Sequence, residues 1–362
     1  MYLRIVKSRK KIILTLFAVI FLWVFLANFN IPLPTIIIKA YYWFKPNKSL
    51  FCHSIQSEHS LPDISFASPK KGKSIFFHET SCTSYIKGKI TINSRQACAV
   101  ESAARMNPDH EIYLLFSSPG NFKNNDSESD RFLAQLLQYH NVHIYHLDMD
   151  KYFENTPVEN LWTSDRMKFS QYAQSHTSDV LRYLTLWKYG GIYLDLDVIV
   201  VRNLEDLGMN YAGVESERAI AAGIVGFSHI GDGHKYVTDC LNDLSLNFNG
   251  DDWGYNGPGT ITRLLKRLCQ TNKIEEMSGK NCQDFKIYPV NEFYAVPWWN
   301  WKWFFDKKHM EQVVSCTNIS HIIHVWNKFS ISRKIPVNSD VPYLRYAKKY
   351  CPNIVRECDD FF

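Results

Sequence analysis

The stretch Tyr189-Gly190-Gly191-Ile192-Tyr193-Leu194-Asp195-Leu196-Asp197, preceded by Asp179 and Arg182, decides the reading of this chain. An apolar, β-forming run interrupted by two carboxylates two residues apart is costly to bury unless a cation sits between them. Before it, Val180, Leu181, Leu184, Leu186 and Trp187 fall at helical spacing. They predict a helix over residues 175–189, with Ser178 or Asp179 near its start as a cap and Asp179 and Arg182 on one face. Gly190-Gly191 reads as the helix stop, and residues 192–201 as one strand. Alternation along such a strand would point Asp195 and Asp197 to the same side, as a divalent-metal site needs. Hard oxygen ligands favour Mn2+ or Mg2+ over zinc and leave coordination positions open for phosphates. An isolated Asp-x-Asp is more often a solvated turn, and only the flanking helix, glycines and strand reverse that.

Working outward, Ser74-Ile75-Phe76-Phe77 predicts a first strand that ends at His78-Glu79-Thr80-Ser81. Residues 95–105 read as a helix, 111–117 and 141–146 as further strands, and 124–130 as a surface loop. Strand and helix alternating in this way imply an α/β fold with a mostly parallel central sheet, which binds ligands at its carboxyl edge. Beyond Leu241 the chain turns rich in Trp, Pro and Gly, with Trp253-Gly254-Tyr255-Asn256-Gly257-Pro258-Gly259 and Trp298-Trp299-Asn300-Trp301-Lys302-Trp303-Phe304-Phe305. Aromatic faces stack on sugar rings and also suit a membrane interface. Each tryptophan read singly is core packing, but one or two of the cluster are expected to line a cleft.

The amino terminus carries Arg4, Lys7, Arg9, Lys10 and Lys11 ahead of residues 12–29, which hold no charge. As a helix that run spans roughly 27 Å, enough for a thin bilayer, and its positive flank places the amino terminus in the cytosol. The expected organisation is a cytosolic tail (1–11), a signal-anchor (12–29), a stem (30–73), a domain half carrying Asp195 and Asp197 (74–230) and a C-terminal half (231–362). All nine cysteines follow the anchor, as an oxidising lumen would allow, and none shows zinc spacing. Cys269 with Cys282 is the first expected bridge, and the odd count leaves a thiol unpaired. Asn47, Asn125 and Asn318 open N-glycosylation triplets. The net charge of +5, with its basic residues scattered beyond the first dozen positions, gives no case for nucleic acid.

Ser178-Asp179-x-x-Arg182 followed by Gly190-Gly191-Ile192-Tyr193-x-Asp195-x-Asp197 resembles the retaining glycosyltransferases of family 32. Ile75 to Ser81, Cys98 to Arg105 and His324-Val325-Trp326-Asn327-Lys328 narrow the resemblance to the lactosylceramide 4-alpha-galactosyltransferase and alpha-1,4-N-acetylglucosaminyltransferase group. It covers roughly residues 74–352. The resemblance implies a GT-A-like, Rossmann-related nucleotide-sugar-binding fold behind a single N-terminal transmembrane helix, Golgi type II topology with a luminal catalytic domain, Mn2+ (or Mg2+) and a UDP-sugar donor. By position, Asp195 and Asp197 would hold metal and donor. Asp179 and Arg182 would contact the donor hexose, His324 would approach the metal or diphosphate, and Glu79 and Thr80 would lie near the uridine. Against these stand an ordinary Asp179–Arg182 surface ion pair, a satisfied strand histidine and a Glu79 helix cap.

In the segment 219–227, Ala221 stands where the family usually has a polar residue, which opens the donor to galactose, N-acetylgalactosamine or N-acetylglucosamine. The partners implied are UDP-galactose or a UDP-N-acetylhexosamine, a glycolipid acceptor and the membrane, with a homo-oligomer left open. The rivals are the same chemistry on protein-linked glycans and a catalytically silent, membrane-anchored sugar-binding protein.

Overall fold

Ser74–Glu79 is buried at all six positions, which requires cover on both faces, as in the interior of a parallel sheet. The computed structural model describes residues 50–55 and 60–362, and one compact unit runs from Cys52 to Phe362. The expected anchor at 12–29 lies outside the described residues; among those described, no helix is long and apolar enough to cross a membrane. Ten strands are described: β1 (Ser74–Glu79), β2 (Glu111–Phe116), β3 (Val142–His146), β4 (Gly191–Leu194), β5 (Val198–Val200), β6 (Tyr211–Ser216), β7 (Ala219–Phe227), β8 (Asn281–Cys282), β9 (Phe285–Tyr288) and β10 (Ile322–His324). Eight form one sheet in the order β3-β2-β1-β4-β7-β6-β9-β8, and β5 pairs with β10 in a second, two-stranded sheet. Four of the seven pairings in the large sheet are parallel, so the expectation of a mostly parallel central sheet holds.

The strand order places the site. From β1 the chain steps outward to β2 and β3 and then returns to the opposite side of β1 as β4. The direction of winding reverses between β1 and β4, and a crevice opens beyond their carboxyl ends. Thr80 and Asp195 are the first residues past those ends.

Several sequence-based boundaries move. The helix before β4 is Ala173–Tyr189, with Tyr172 at its cap position and no side-chain cap bond; Ser178 and Asp179 therefore lie inside it and cap nothing. The strand expected over 192–201 is two strands in different sheets. β4 is buried throughout, and two carboxylates could not continue inside a sheet covered on both faces, so the chain turns at Asp195-Leu196-Asp197 and resumes as β5 against β10. The 124–130 stretch is loop only as far as Ser127, whose hydroxyl and Asp130 form a capping box opening the helix Glu128–Leu136. The expected stem ends earlier than residue 73. Cys52 is bonded to Cys82, and Leu61 and Ile64 are buried. The expected halves 74–230 and 231–362 lie within the one unit Cys52–Phe362.

The helix Ser94–Met106 holds the C-terminal segment through three residues spaced three apart. Arg95 donates to the Ser330 carbonyl (2.9 Å) and to that of Arg333. Cys98 is bonded to Cys351. The fully buried Glu101 accepts from the Asn353 and Ile354 amides at 3.1 and 2.8 Å and from the Tyr139 hydroxyl at 2.8 Å. The expected Cys269–Cys282 bridge is present, and Cys240, Cys316 and Cys358 are unpaired. Removing Cys98–Cys351, whose partners are 253 residues apart, by double alanine substitution is expected to cost about 5 kcal/mol, and removing Cys269–Cys282, 13 apart, about 3 kcal/mol, since the entropy of the closed loop grows with its length. Denaturant unfolding of the two variants checks the order.

Candidate active site

Asp195 leaves β4 with its amide still bonded to the Gly223 carbonyl of β7 (2.8 Å), the last rung of that pairing. Asp197 then enters β5, and the antiparallel register sets His324 opposite Val198. The Val325 amide donates to the Asp197 carbonyl (2.9 Å), and the Asn327 amide donates to Asp197 Oδ2 (2.7 Å). His324 Nδ1 meets the Trp326 amide, leaving Nε2 turned to the carboxylates, 3.2 Å from Asp197 Oδ1 and 3.9 Å from Asp195 Oδ2. His324 is thus no ordinary strand histidine. The three side chains offer ligand atoms within 4.8 Å of one another. An oxygen-rich set with one imidazole fits Mg2+ or Mn2+. Cys52, His53 and Cys82 also cluster, but the two cysteines are joined as a disulfide and offer no thiolate.

Arg182 stands on the other side. Its Nη2 lies 3.1 Å from Asp179 Oδ1 and 3.4 Å from Asp195 Oδ1. The guanidinium covers the Tyr193 ring at 4.9 Å, and the Tyr193 hydroxyl donates to Asp195 Oδ1 at 2.7 Å. Asp179 and Arg182 are 5 % and 6 % exposed, which rules out a solvated surface pair. Two glycines make the room: a Cβ at Gly223 would come within 2.6 Å of Asp195 Oδ2, and one at Gly257 would collide with Asp179 Oδ1.

The charges are uneven. Burial raises the Asp195 carboxyl, but the Arg182 charge and then His324 outweigh it and hold Asp195 below the usual carboxylate range. Asp197 lies farther from the guanidinium's influence and is pushed up, by burial first, with the Asp195 charge adding to it. Burial would lower His324, yet Asp197 and Asp195 pull it up. Burial pushes Asp179 up to about 6 against the pull of Arg182, with the Asp195 charge adding to the rise. Three carboxylates against one permanent cation leave the cluster short of positive charge, which a divalent ion would supply.

These groups face one cavity of about 790 Å³. Thr80, Asp179, Arg182, Asp195, Asp197 and His324, all singled out from sequence, line it together. So do Ala221, Trp253 and Trp298, whereas Trp299, Trp301 and Trp303 face a different cavity. Glu79 does not join them: it opens into a neighbouring cavity that shares only Gln174 and Ile331 with the first. It caps no helix, ending β1 with Oε1 accepting from the Ser81 amide at 3.1 Å. Glu215, Tyr294 and Gln174 also line the main cavity and went unnoticed in the sequence; each comes from a separate element with no local pattern to mark it.

The family model for the sugar-binding region containing the DXD motif of glycosyltransferases matches residues 93–214, and the model for the alpha 1,4-glycosyltransferase conserved region matches residues 229–358. A lactosylceramide 4-alpha-galactosyltransferase of Mus musculus is 31% identical over 84% of this chain and 81% of its own length. The chain belongs to the alpha 1,4-glycosyltransferase family. An alpha-1,4-N-acetylglucosaminyltransferase of Homo sapiens is 27% identical over 72% of this chain and 75% of its own. A solved galactosyltransferase, LgtC, with donor and acceptor sugar analogues aligns over 78% of this chain at 14% identity and a TM-score of 0.36, too distant to decide anything about substrate.

The chain is therefore a hexosyltransferase with a nucleotide-sugar donor, and Asp195-Leu196-Asp197 is its DXD motif. Two expectations follow for this glycosyltransferase. Gly223→Ala should leave the fold intact while weakening divalent-metal binding at least about tenfold, since displacing Asp195 removes a charged ligand; calorimetric titration with Mn2+ measures it. Glu79 is raised to about 7 by burial, with Oε2 unpartnered, so the native state keeps a proton that the unfolded chain releases from about 4.5 upward. Its contribution is present in full below the unfolded value and is lost as pH rises through about 7. Glu79→Gln should gain on the wild type by roughly 3 kcal/mol across that window, read from unfolding free energies at several pH values.

Proposed function

We propose that this glycosyltransferase is a Golgi type II membrane enzyme that transfers galactose or an N-acetylhexosamine from UDP to a glycosphingolipid, through an alpha-1,4 linkage and with retention of configuration. The observation that carries the reading is the convergence of Asp195, Asp197 and His324 beside Arg182 at the point where the sheet's winding reverses. The named relatives act on lactosylceramide or transfer N-acetylglucosamine, which supports a hexose donor and a glycolipid acceptor. The three disulfides support an oxidising lumen, and the uncharged run 12–29 supports the anchor.

A Mn2+ or Mg2+ ion held by Asp195, Asp197 and His324 would offset the charge of the leaving diphosphate. Arg182, fixed between Asp179 and Asp195, adds a permanent positive charge at the same end of the cleft. Asp179 orients that guanidinium and, with Arg182, faces the donor hexose. Thr80 at the carboxyl end of β1 sits toward the nucleoside, with Glu79 behind it. The departing phosphate can take the proton of the acceptor hydroxyl attacking from the same face, so no residue is assigned as nucleophile or base. Ala221, Ala222 and Gly223 form a small, apolar wall of the cavity, which leaves room for an N-acetyl group beside galactose as donor.

Asp195→Ala and Asp197→Ala should each abolish Mn2+-dependent transfer; more than a few per cent of wild-type rate in either, judged against the ~10²–10³-fold worth of one strong electrostatic group, would refute the assignment. UDP release from a panel of UDP-sugars, with lactosylceramide and a glycoprotein offered as acceptors, reads donor and acceptor class together.

A further inference from the structure

We infer that Glu215, with the Tyr294 hydroxyl and the Trp253 ring, forms the subsite that binds the acceptor sugar and selects a neutral pyranose through hydrogen bonds to its hydroxyls. Resting on the hexosyl transfer proposed above, this subsite serves a lipid-linked or a protein-linked acceptor alike.

Glu215 stands where β6 slips against β7. Val214 pairs with Ile220 and Ser216 with Ala219, so two steps on β6 meet one on β7, and Glu215 is the extra residue of a bulge. A bulge interrupts the ladder and re-aims a side chain that regular alternation would fix. Here it turns a half-buried carboxylate into the catalytic cavity. Among the described residues that carboxylate accepts no hydrogen bond, and only the more distant charges of His324 and Lys328 work against its burial. Lys328 does not pair with it; its Nζ lies over the Trp253 ring, 3.1 Å from the centroid. Tyr294 lines the same cavity, is 1 % exposed, and has a hydroxyl without a partner. Its ring is fixed between His324 and Trp326, at 5.4 and 5.7 Å. A buried hydroxyl and a partly buried carboxylate left unpaired both cost free energy. A polyol satisfies the two together, since its hydroxyls donate to the carboxylate and accept from the phenol.

The strand order assigns the subsite to the acceptor. β1, β4 and β6 run in one direction and end at one edge of the sheet, with Thr80 just past β1, Asp195 just past β4 and Glu215 near the end of β6. Only β7 lies between β4 and β6. Neighbouring strands are about 4.8 Å apart, so Glu215 lies two strand positions beyond Asp195, on the side away from Thr80. A nucleotide sugar with its nucleoside toward Thr80 and its diphosphate at Asp195 and Asp197 sets its hexose against the small wall of β7. The attacking sugar then stands at the next strand, β6. Trp253 lines this cavity and is 39 % exposed, which leaves aromatic surface for the apolar side of a pyranose. An acidic sugar would bring a second carboxylate to Glu215, and that repulsion excludes it.

The test uses the full-length enzyme, with lactosylceramide, free lactose and a glycoprotein as acceptors and UDP-galactose or UDP-N-acetylgalactosamine as donor. Glu215→Gln keeps the shape and removes the charge. It should raise the acceptor KM about tenfold or more, the worth of a hydrogen bond to a charged group, and change the donor KM by no more than about twofold. Tyr294→Phe, which removes only the orphaned hydroxyl, should raise the acceptor KM about threefold. Monodeoxy lactoses locate the bond: one of them should lose about tenfold with wild type and nothing further with Glu215→Gln. An unchanged acceptor KM in Glu215→Gln, equal losses on both substrates, or deoxy penalties that stay additive overturn the subsite. A penalty shared with monodeoxy UDP-galactose instead moves Glu215 to the donor and overturns it too. If wild type uses the glycoprotein and neither lactosyl acceptor, the glycolipid reading alone falls, and the KM comparison on the glycoprotein still decides the role of Glu215.

Discussion

The structure depends on holding two half-buried carboxylates, Asp195 and Asp197, close together. Like charges in a low-dielectric cleft repel strongly, and each loses part of its hydration. The fold answers with a guanidinium on one side and an imidazole on the other: Arg182 reaches Asp195 at 3.4 Å and His324 reaches Asp197 at 3.2 Å. Neither base balances the cluster completely, because Asp179 shares Arg182. The residual negative charge suits the cleft to a divalent cation.

Each base comes from a different part of the chain, and the architecture brings them there. Arg182 rides on the helix Ala173–Tyr189, which delivers the chain into β4 at the winding reversal. His324 comes more than a hundred residues later, on β10, through its pairing with β5. The C-terminal segment can bring His324, Trp326 and Lys328 to the cavity because the helix Ser94–Met106 holds the stretches that follow them: Arg95 grips the turn at Ser330 and Arg333, and Cys98 and Glu101 secure residues 351–354. The placing of His324 beside Asp195 and Asp197 therefore depends on Arg95, the Cys98–Cys351 disulfide and the buried Glu101 of that helix.

Much of the site was legible because its residues carry local signals. Asp179 and Arg182 lie three apart in a helical pattern, and Asp195 and Asp197 break an apolar run that has no other reason to contain charge. The same signals misled where the local pattern was extended too far. The β-formers of residues 192–201 read as one strand, yet desolvation of the carboxylates ends β4 at Leu194 and passes the chain to a second sheet. Glu79 and Thr80 were expected together near the uridine; Thr80 lines the main cavity and Glu79 the neighbouring one. His324 gave no signal of its own beyond resemblance, and Glu215, Tyr294 and Gln174 gave none.

By itself the sequence determined the alternation of strand and helix, the paired aspartates, the Asp179–Arg182 pair and the membership of an α1,4-glycosyltransferase family, since all of these are written in residues close along the chain. Only the tertiary structure decided that His324 meets Asp195 and Asp197, that Gly223 and Gly257 clear space for two carboxylates, and that some tryptophans line the cavity while others face outward. Those facts join residues that no local period connects. They follow from strand register and helix packing, where a shift of one residue would turn each side chain to the wrong face.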